Sequence, residues 1–415
     1  MKPLRLLACL PLLATAARAN DEFFDRLQEA LTVSAAEGRV RARASGTVDL
    51  EGYDLQQPAP GLLQAAGRAL FAPRVTTFLD AQVGPRIYAF AQMRVDRGFD
   101  AGRRPLEARL DELAVRVRPW AGRHFNFQLG RFGTVVGNWV NRHGSWTDPF
   151  ITAPVPYEHL TGVWDTEAVR STAQLLRWAH LRGGPFSAEE VAREKSVRLP
   201  IVWGPGYAAG AAVSGDIGRM RYAVEAKLGS LSSNPEAWQH ALEQRHHPSV
   251  SARVAWRPNQ MWEIGASASE GSYLREDAER TLAPGRGRGD YRQRVLAQDI
   301  VFAWHHLQVW TEIFAARFEI PTVGNADTLA CYAEAKYKFT PQFSGAFRWN
   351  QQLFSTLPER GVARQWGQEV WRADLGPSYR FTPHTQLKLQ YSLQHGDAGT
   401  HTFTRLIATQ LTLRY

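Results

Sequence analysis

The residues best placed to do chemistry in this sequence are arginines. Arg39, Arg41 and Arg43 recur at alternate positions, as do Arg116 with Arg118 and Arg219 with Arg221. Lys336 and Lys338 repeat the spacing. Alternate residues on a strand share a face, so each set would present its cations in a row. Guanidinium groups bind carboxylates and phosphates well, which makes such rows stations for anions. Patterns for catalysis are missing: the chain has no G-x-S-x-G, H-E-x-x-H or phosphate-binding loop. His143 and Ser145 come nearest to a base–nucleophile pair, and nothing in the sequence orients them. The pairs His246-His247 and His305-His306 could suggest metal ligands, but neighbours on a strand point to opposite faces. Arg288-Gly289-Asp290 is more simply a chance tripeptide in a Gly/Arg loop than an adhesion motif. The expectation is therefore no enzyme, no cofactor and no metal. A formal net charge of +9 comes without a clustered basic stripe, so nucleic acid is not an expected partner.

These cations need elements to hold them, and the sequence is rich in one kind. Val40, Ala42, Ala44, Gly46, Val48 and Leu50 alternate with Arg39, Arg41, Arg43, Ser45, Thr47 and Asp49. An apolar face opposite a polar face with period two marks a β-strand. The pattern recurs, giving about 16 strands of roughly ten residues, the length that crosses a bilayer as a tilted strand. Strand pairs join at Gly84-Pro85-Arg86, Pro119-Trp120-Ala121-Gly122, Asp216-Ile217-Gly218, Pro258-Asn259-Gln260, His305-His306, Thr340-Pro341 and Thr382-Pro383-His384. Between the pairs lie longer segments: 51–73, 98–110, 133–205, 231–248, 272–293, 319–327, 355–367 and 397–401. Short turns at one end and long loops at the other fit an all-β, transmembrane antiparallel barrel. A soluble sandwich has no reason to sort its loops this way.

Other features agree. Residues 1–19 read as a cleaved secretory signal, with Lys2 and Arg5, an apolar run from Leu6 to Ala16, and Ala17-Arg18-Ala19. Residues 20–38 read as a leader or short helix, and 39–415 as the barrel. Beyond Cys9 in the signal, Cys331 is the single thiol, so no internal disulfide is expected. Trp120, Phe125, Trp256, Trp262, Trp304, Tyr337, Phe339, Phe343, Tyr379 and Phe381 flank short turns, as an interfacial aromatic girdle does. The 133–205 loop, after the fifth strand, is too long to lack structure or a role. A helix is expected over Asp165–Gly183, and a second begins at Ser187-Ala188-Glu189-Glu190.

Leu110-Asp111-Glu112-Leu113-Ala114-Val115-Arg116-Val117-Arg118, followed by Leu129-Gly130-Arg131-Phe132, resembles the phosphate-selective porin family. In that family an L-D-E-x-x-V strand is followed by a strand ending G-R-F and a P-F-G turn. Here Gly133-Thr134-Val135-Val136-Gly137 stands in place of that turn, which leaves the wider porin group as the match. The family's anion-site residues have no one-to-one counterparts, so phosphate selectivity is not carried over. The last ten residues, with Ile407, Leu411, Leu413 and Tyr415 on one face, resemble the C-terminal strand that the barrel assembly machinery reads. The 133–205 loop resembles the third loop of general porins, which folds into the barrel and narrows it. The resemblance implies a homotrimeric outer-membrane channel passing small hydrophilic solutes.

In such a barrel the charged face must line water, since Arg or Lys at the lipid midplane costs about 2–4 kcal/mol. The candidate lumen cations are Arg39, Arg41, Arg43, Arg94, Arg116, Arg118, Arg219, Arg221, Arg253, Lys336, Lys338, Arg348, Arg372 and Lys388. Asp80, Asp96, Glu112, Glu225, Glu263, Glu334 and Asp374 share their face. The basic excess implies a weak preference for anionic solutes. Two alternatives remain: an outer-membrane enzyme, or a structural or adhesive barrel with a plugged lumen.

Overall fold

The computed structural model describes residues 21–56, 59–65, 67–97, 106–179, 188–235, 247–396 and 403–415. The proposed signal, 1–19, lies outside these. Residues 21–30 form a helix, α1. The strands are β1 (Thr32–Ala35), β2 (Val40–Leu55), β3 (Ala69–Val83), β4 (Ile87–Asp96), β5 (Glu107–Val117), β6 (Asn126–Phe132), β7 (Ala208–Ile217), β8 (Met220–Lys227), β9 (Ser249–Trp256) and β10 (Trp262–Ser272). They continue as β11 (Arg292–Trp304), β12 (Leu307–Ile320), β13 (Gly324–Lys338), β14 (Phe343–Phe354), β15 (Thr356–Glu359), β16 (Val362–Gln365), β17 (Val370–Arg380), β18 (Thr385–His395) and β19 (Phe403–Arg414). Three helices lie in the long loop: α2 (Val155–Glu158), α3 (Thr172–Trp178) and α4 (Ala188–Val197).

Sixteen of these strands close a barrel. Each of β2 to β14 pairs antiparallel with the next, followed by β17, β18 and β19, and β19 returns to β2 with Leu406↔Leu55 through Arg414↔Thr47 in register. Closure leaves no unpaired edge, which a lipid environment requires. The burial pattern is inverted relative to a soluble protein. On β14, Phe347 and Trp349 are 46% and 38% exposed, while Arg348 and Asn350 between and beyond them are 0% exposed. Apolar side chains facing outward and charged ones facing inward suit lipid around a polar interior. The aromatic girdle lies at the short-turn end: Trp120 packs edge-on against Phe125 at 5.3 Å, and Phe339 stacks on Phe343 at 5.4 Å.

Three details depart from the sequence expectations. After α1 the chain forms β1, which pairs with β2 from Thr32↔Arg43 to Ala35↔Val40. The expected long loop at 319–327 is a three-residue turn between Ile320 and Gly324, because β12 and β13 run on past the apolar band. Outward Arg317 and Asp327 pair across them at 2.6 Å and hold that extension together in water. In 355–367, β15 and β16 add a hairpin above the wall.

The long loop departs more. Asp165 does not cap a helix; it pairs with Arg275 at 3.1 Å, and neighbouring Trp164 bridges Arg198. The helix α3 starts later, capped by the Ser171 side chain, which accepts from the Gln174 N–H. Ser187 lies outside the described residues, while α4 begins at Ala188.

Candidate functional site

The loop after β6 lies inside the barrel, bonded to the inner wall of β10–β18. The Gly137 N–H donates to Ser267 Oγ on β10 at 3.0 Å. The Asn138 and Trp139 N–H groups donate to Glu312 on β12, at 3.1 and 2.7 Å. Glu312 also accepts from the Tyr157 and Tyr332 hydroxyls, so four donors converge on one buried carboxylate. Gly137 has φ +73°, and a Cβ there would collide with the Tyr157 hydroxyl and the Glu312 carboxylate. Only glycine combines that backbone with that approach. Arg142 reaches Glu334 on β13 at 2.6 Å, with its guanidinium over the Trp310 ring at 4.5 Å.

Further along, the loop meets three of the candidate cations. Arg348 bonds Asp374 at 2.8 Å and the Thr152 carbonyl at 3.0 Å. Arg372 donates to Glu158 and to the Ala153 carbonyl, and Lys388 donates to the Asp148 carbonyl at 3.0 Å. Burial raises the Glu158 carboxyl above its ordinary range, while Arg372 pulls the other way. Arg348, Arg372 and Lys388 therefore anchor the loop and do not border open water, which corrects their reading as pore-lining cations. The inner wall beneath is apolar where the loop needs it: Val295, Phe314, Ala316 and Ala330 pack with Val136, Trp139, Val140, Tyr157 and Ile201. The signal for this docking is present in β12, whose run Ile313-Phe314-Ala315-Ala316 is apolar on both faces. A strand with lipid on one side and water on the other has no use for that.

Between the loop and the opposite wall lies a cavity of about 1260 Å³. Among the described residues, nine arginines and four carboxylates border it. Arg94, Arg116, Arg118, Arg221 and Arg253 of the candidate set are there. Arg94 pairs with Asp111 at 3.0 Å, Arg221 with Asp216 at 3.0 Å, and Arg253 with Asp299 at 2.6 Å and Glu263 at 3.2 Å. Arg116, Arg118, Arg123 and Arg414 have no carboxylate partner among the described residues. Arg116 donates instead to Gln128 Oε1 at 2.7 and 3.0 Å, and Arg118 to Asn126 at 3.3 Å. Sequence reasoning missed Arg74, Arg123 and Arg414. It also missed a bulge: β4 and β5 pair Gln92↔Glu112 and then Met93↔Leu110, which leaves Asp111 extra. Asp111 and Glu112 thus both turn inward, to Arg109 at 2.9 Å and the Gly133 N–H at 2.8 Å.

The remaining candidates lie elsewhere. Arg41 and Arg43 are exposed on β2 where β1 pairs with it, with Arg39 in the turn between the two strands. They lie beyond the cavity border. Arg219 sits in a short turn, donating to the Pro258 carbonyl at 2.7 Å. Lys336 and Lys338 are at the short-turn end of β13, outside the cavity. Ser145 donates to Thr47 Oγ1 at 3.4 Å. The His143 Nδ1–H donates to the Val140 carbonyl at 2.6 Å, and its Nε2 accepts from the Tyr207 hydroxyl at 2.9 Å. Ser145 and His143 thus have other partners. Burial pushes the His143 imidazole down to about 4, so it is neutral at pH 7. Arg288 is buried and pairs with Glu279 at 3.2 Å, so the tripeptide exposes Asp290 but withholds its arginine.

A closed 16-stranded barrel with an inner loop is the architecture of porin-type outer-membrane proteins. Solved structures agree: OmpF of Salmonella typhi, in complex with daunomycin, has TM-score 0.56 at 10% identity, covering 92% of this chain and 100% of that one. The outer-membrane channel DcaP of Acinetobacter baumannii has TM-score 0.57 at 10% identity, covering 92% and 100%. An anion-selective porin from Comamonas acidovorans has TM-score 0.54 at 10% identity, covering 91% and 100%. No protein-family model matches the sequence, and no curated protein matches it. The similarity to these structures is one of fold.

Proposed function

We propose that this protein is a porin of the outer membrane, a passive channel for small hydrophilic solutes with a weak preference for anions. The observation that carries this is the cavity of about 1260 Å³ with its arginine excess. Among the described residues, four of those guanidinium groups have no carboxylate partner, which leaves them to attract mobile anions. Low-dielectric walls focus the field of such charges into the water between them and raise the local anion concentration. The function needs no chemical step and assigns no catalytic residue. Homotrimer assembly and insertion by the barrel assembly machinery, with lipid against the outward apolar face, belong to the same reading. A trimeric form is recorded for one structure of similar fold, the in-vitro folded OmpT of Vibrio cholerae. Residues 1–19 would be the cleaved export signal, 20–38 the leader, 39–415 the barrel and 133–205 the constricting loop.

The test is single-channel recording in a planar bilayer under a potassium chloride gradient. Steady conductance steps with a reversal potential favouring chloride are expected. A cation-favouring reversal would refute the anion preference, and folded protein without steps would refute the channel.

A further inference from the structure

We propose that the cavity holds a site for organic anions carrying a flat apolar ring, the aryl carboxylates. The inference rests on the channel reading above and narrows the solute class. On the open wall, Phe78 of β3 and Phe90 of β4 turn inward beside the cavity. Phe90 leans on the small cluster of Ala114, Phe132 and Ala212, whereas Phe78 joins no buried apolar cluster among the described residues. An inward phenylalanine left partly exposed beside water gains less from burial than one in a packed core. It offers an apolar face to whatever passes.

The charges stand at the right places around that face. Arg116 lies 6.0 Å from the ring centroids of both Tyr88 and Phe90, which stack on each other at 5.8 Å. Its Nε and Nη2 are held by Gln128, which leaves Nη1 for a carboxylate. A benzoate-like solute would set its carboxylate on Arg116 and its ring on Phe90 and Phe78. Inorganic anions would use only the first contact. A second station of the same composition lies on the loop: Trp146, with Arg380 at 4.7 Å and Arg414 at 5.6 Å from its ring. Arg414 pairs with Thr47 on β2, whereas Arg116 connects through Tyr88 and Gln82 to Arg41 on the same strand, so the two stations are four strands apart and also displaced along the strands.

The experiment measures chloride current through single channels of the full-length protein as sodium benzoate or sodium acetate is added. Benzoate should reduce the current at about three- to tenfold lower concentration than acetate, the range of one aromatic stacking contact. Phe78→Ala and Phe90→Ala should bring that ratio toward unity, and Arg116→Gln should weaken both anions. The lipid-facing Phe347→Ala should leave the ratio unchanged. Heat-modifiable gel mobility reports folding; if Phe90→Ala does not fold, Phe78→Ala carries the test, since Phe78 supports no cluster. Equal inhibition by the two anions, or a ratio unmoved by Phe78→Ala, would overturn the aryl site. A cation-favouring reversal in wild-type protein would instead overturn the function beneath it.

Discussion

The two halves of the inner wall use the same residue types for opposite ends. On β14–β18, three inward cations are covered by the loop: Arg348, Arg372 and Lys388 direct their donors to Asp374, Glu158 and loop carbonyls. On β2–β9, Arg116 and Arg118 bond neutral Gln128 and Asn126, with no carboxylate partner among the described residues, and their charge faces open water. Buried ion pairs fix one geometry, because a lone charge left behind in low dielectric is costly. Unpaired charges beside water can be shared with passing solute. On the proposed channel reading, the covered half would set the width of the lumen and the open half its ionic preference.

Breaking the covered half should have the largest effect. Asp374 is a hub that accepts from Arg348, Arg372 and Asn350. Asp374→Ala would take one of two carboxylates from each buried guanidinium, leaving Arg372 with Glu158 and Arg348 with Glu334 at 3.6 Å, a loss of at most about 3–5 kcal/mol. The loop should loosen, giving a larger and noisier conductance and a lower temperature of heat modification on gels. Unchanged conductance would mean that the loop holds its place without this network.

Reversing charge on the open half should act on selectivity alone. Arg116→Glu with Arg118→Glu should move the reversal potential toward cations by replacing two unpaired positive charges with two negative ones. Step size should stay within about twofold, as no loop contact is touched. An unmoved reversal would place the preference elsewhere along the lumen.

The smallest effect is expected where the halves meet. His143 links the loop to Tyr207, which itself accepts from Gln92 Nε2 on β4 at 3.1 Å. The imidazole titrates at about 4 in the folded protein, below its ordinary 6.5, chiefly through burial. The unfolded state therefore binds the proton first. Loop docking is at full strength above pH 6.5 and weakens as pH falls toward 4. His143→Phe removes this titration, so the acid-side drift in conductance should shrink in that variant. A drift of the same size would assign it to another group.

The wall was largely legible in the sequence. Period two, the ordering of short turns and long loops, and the inward arginines follow from local rules, since each strand must show one face to lipid. The fate of each arginine was not legible. Arg116 and Arg348 occupy equivalent positions on inward faces, yet one borders the cavity and the other is fully buried. That difference comes from a loop contributed by residues about 200 positions away in sequence, as in the contact of Thr152 with Arg348. The bulge at Asp111 is also tertiary, since only the register against β4 shows the extra residue.

By itself, the sequence determined that a barrel forms and that its interior is basic, because alternation and the cost of charge in lipid permit little else. Only the tertiary structure decided where the interior stays open. The path of the loop across the lumen depends on long-range partners such as Glu312 and Asp374, and local periodicity carries no record of which partner a buried charge will find.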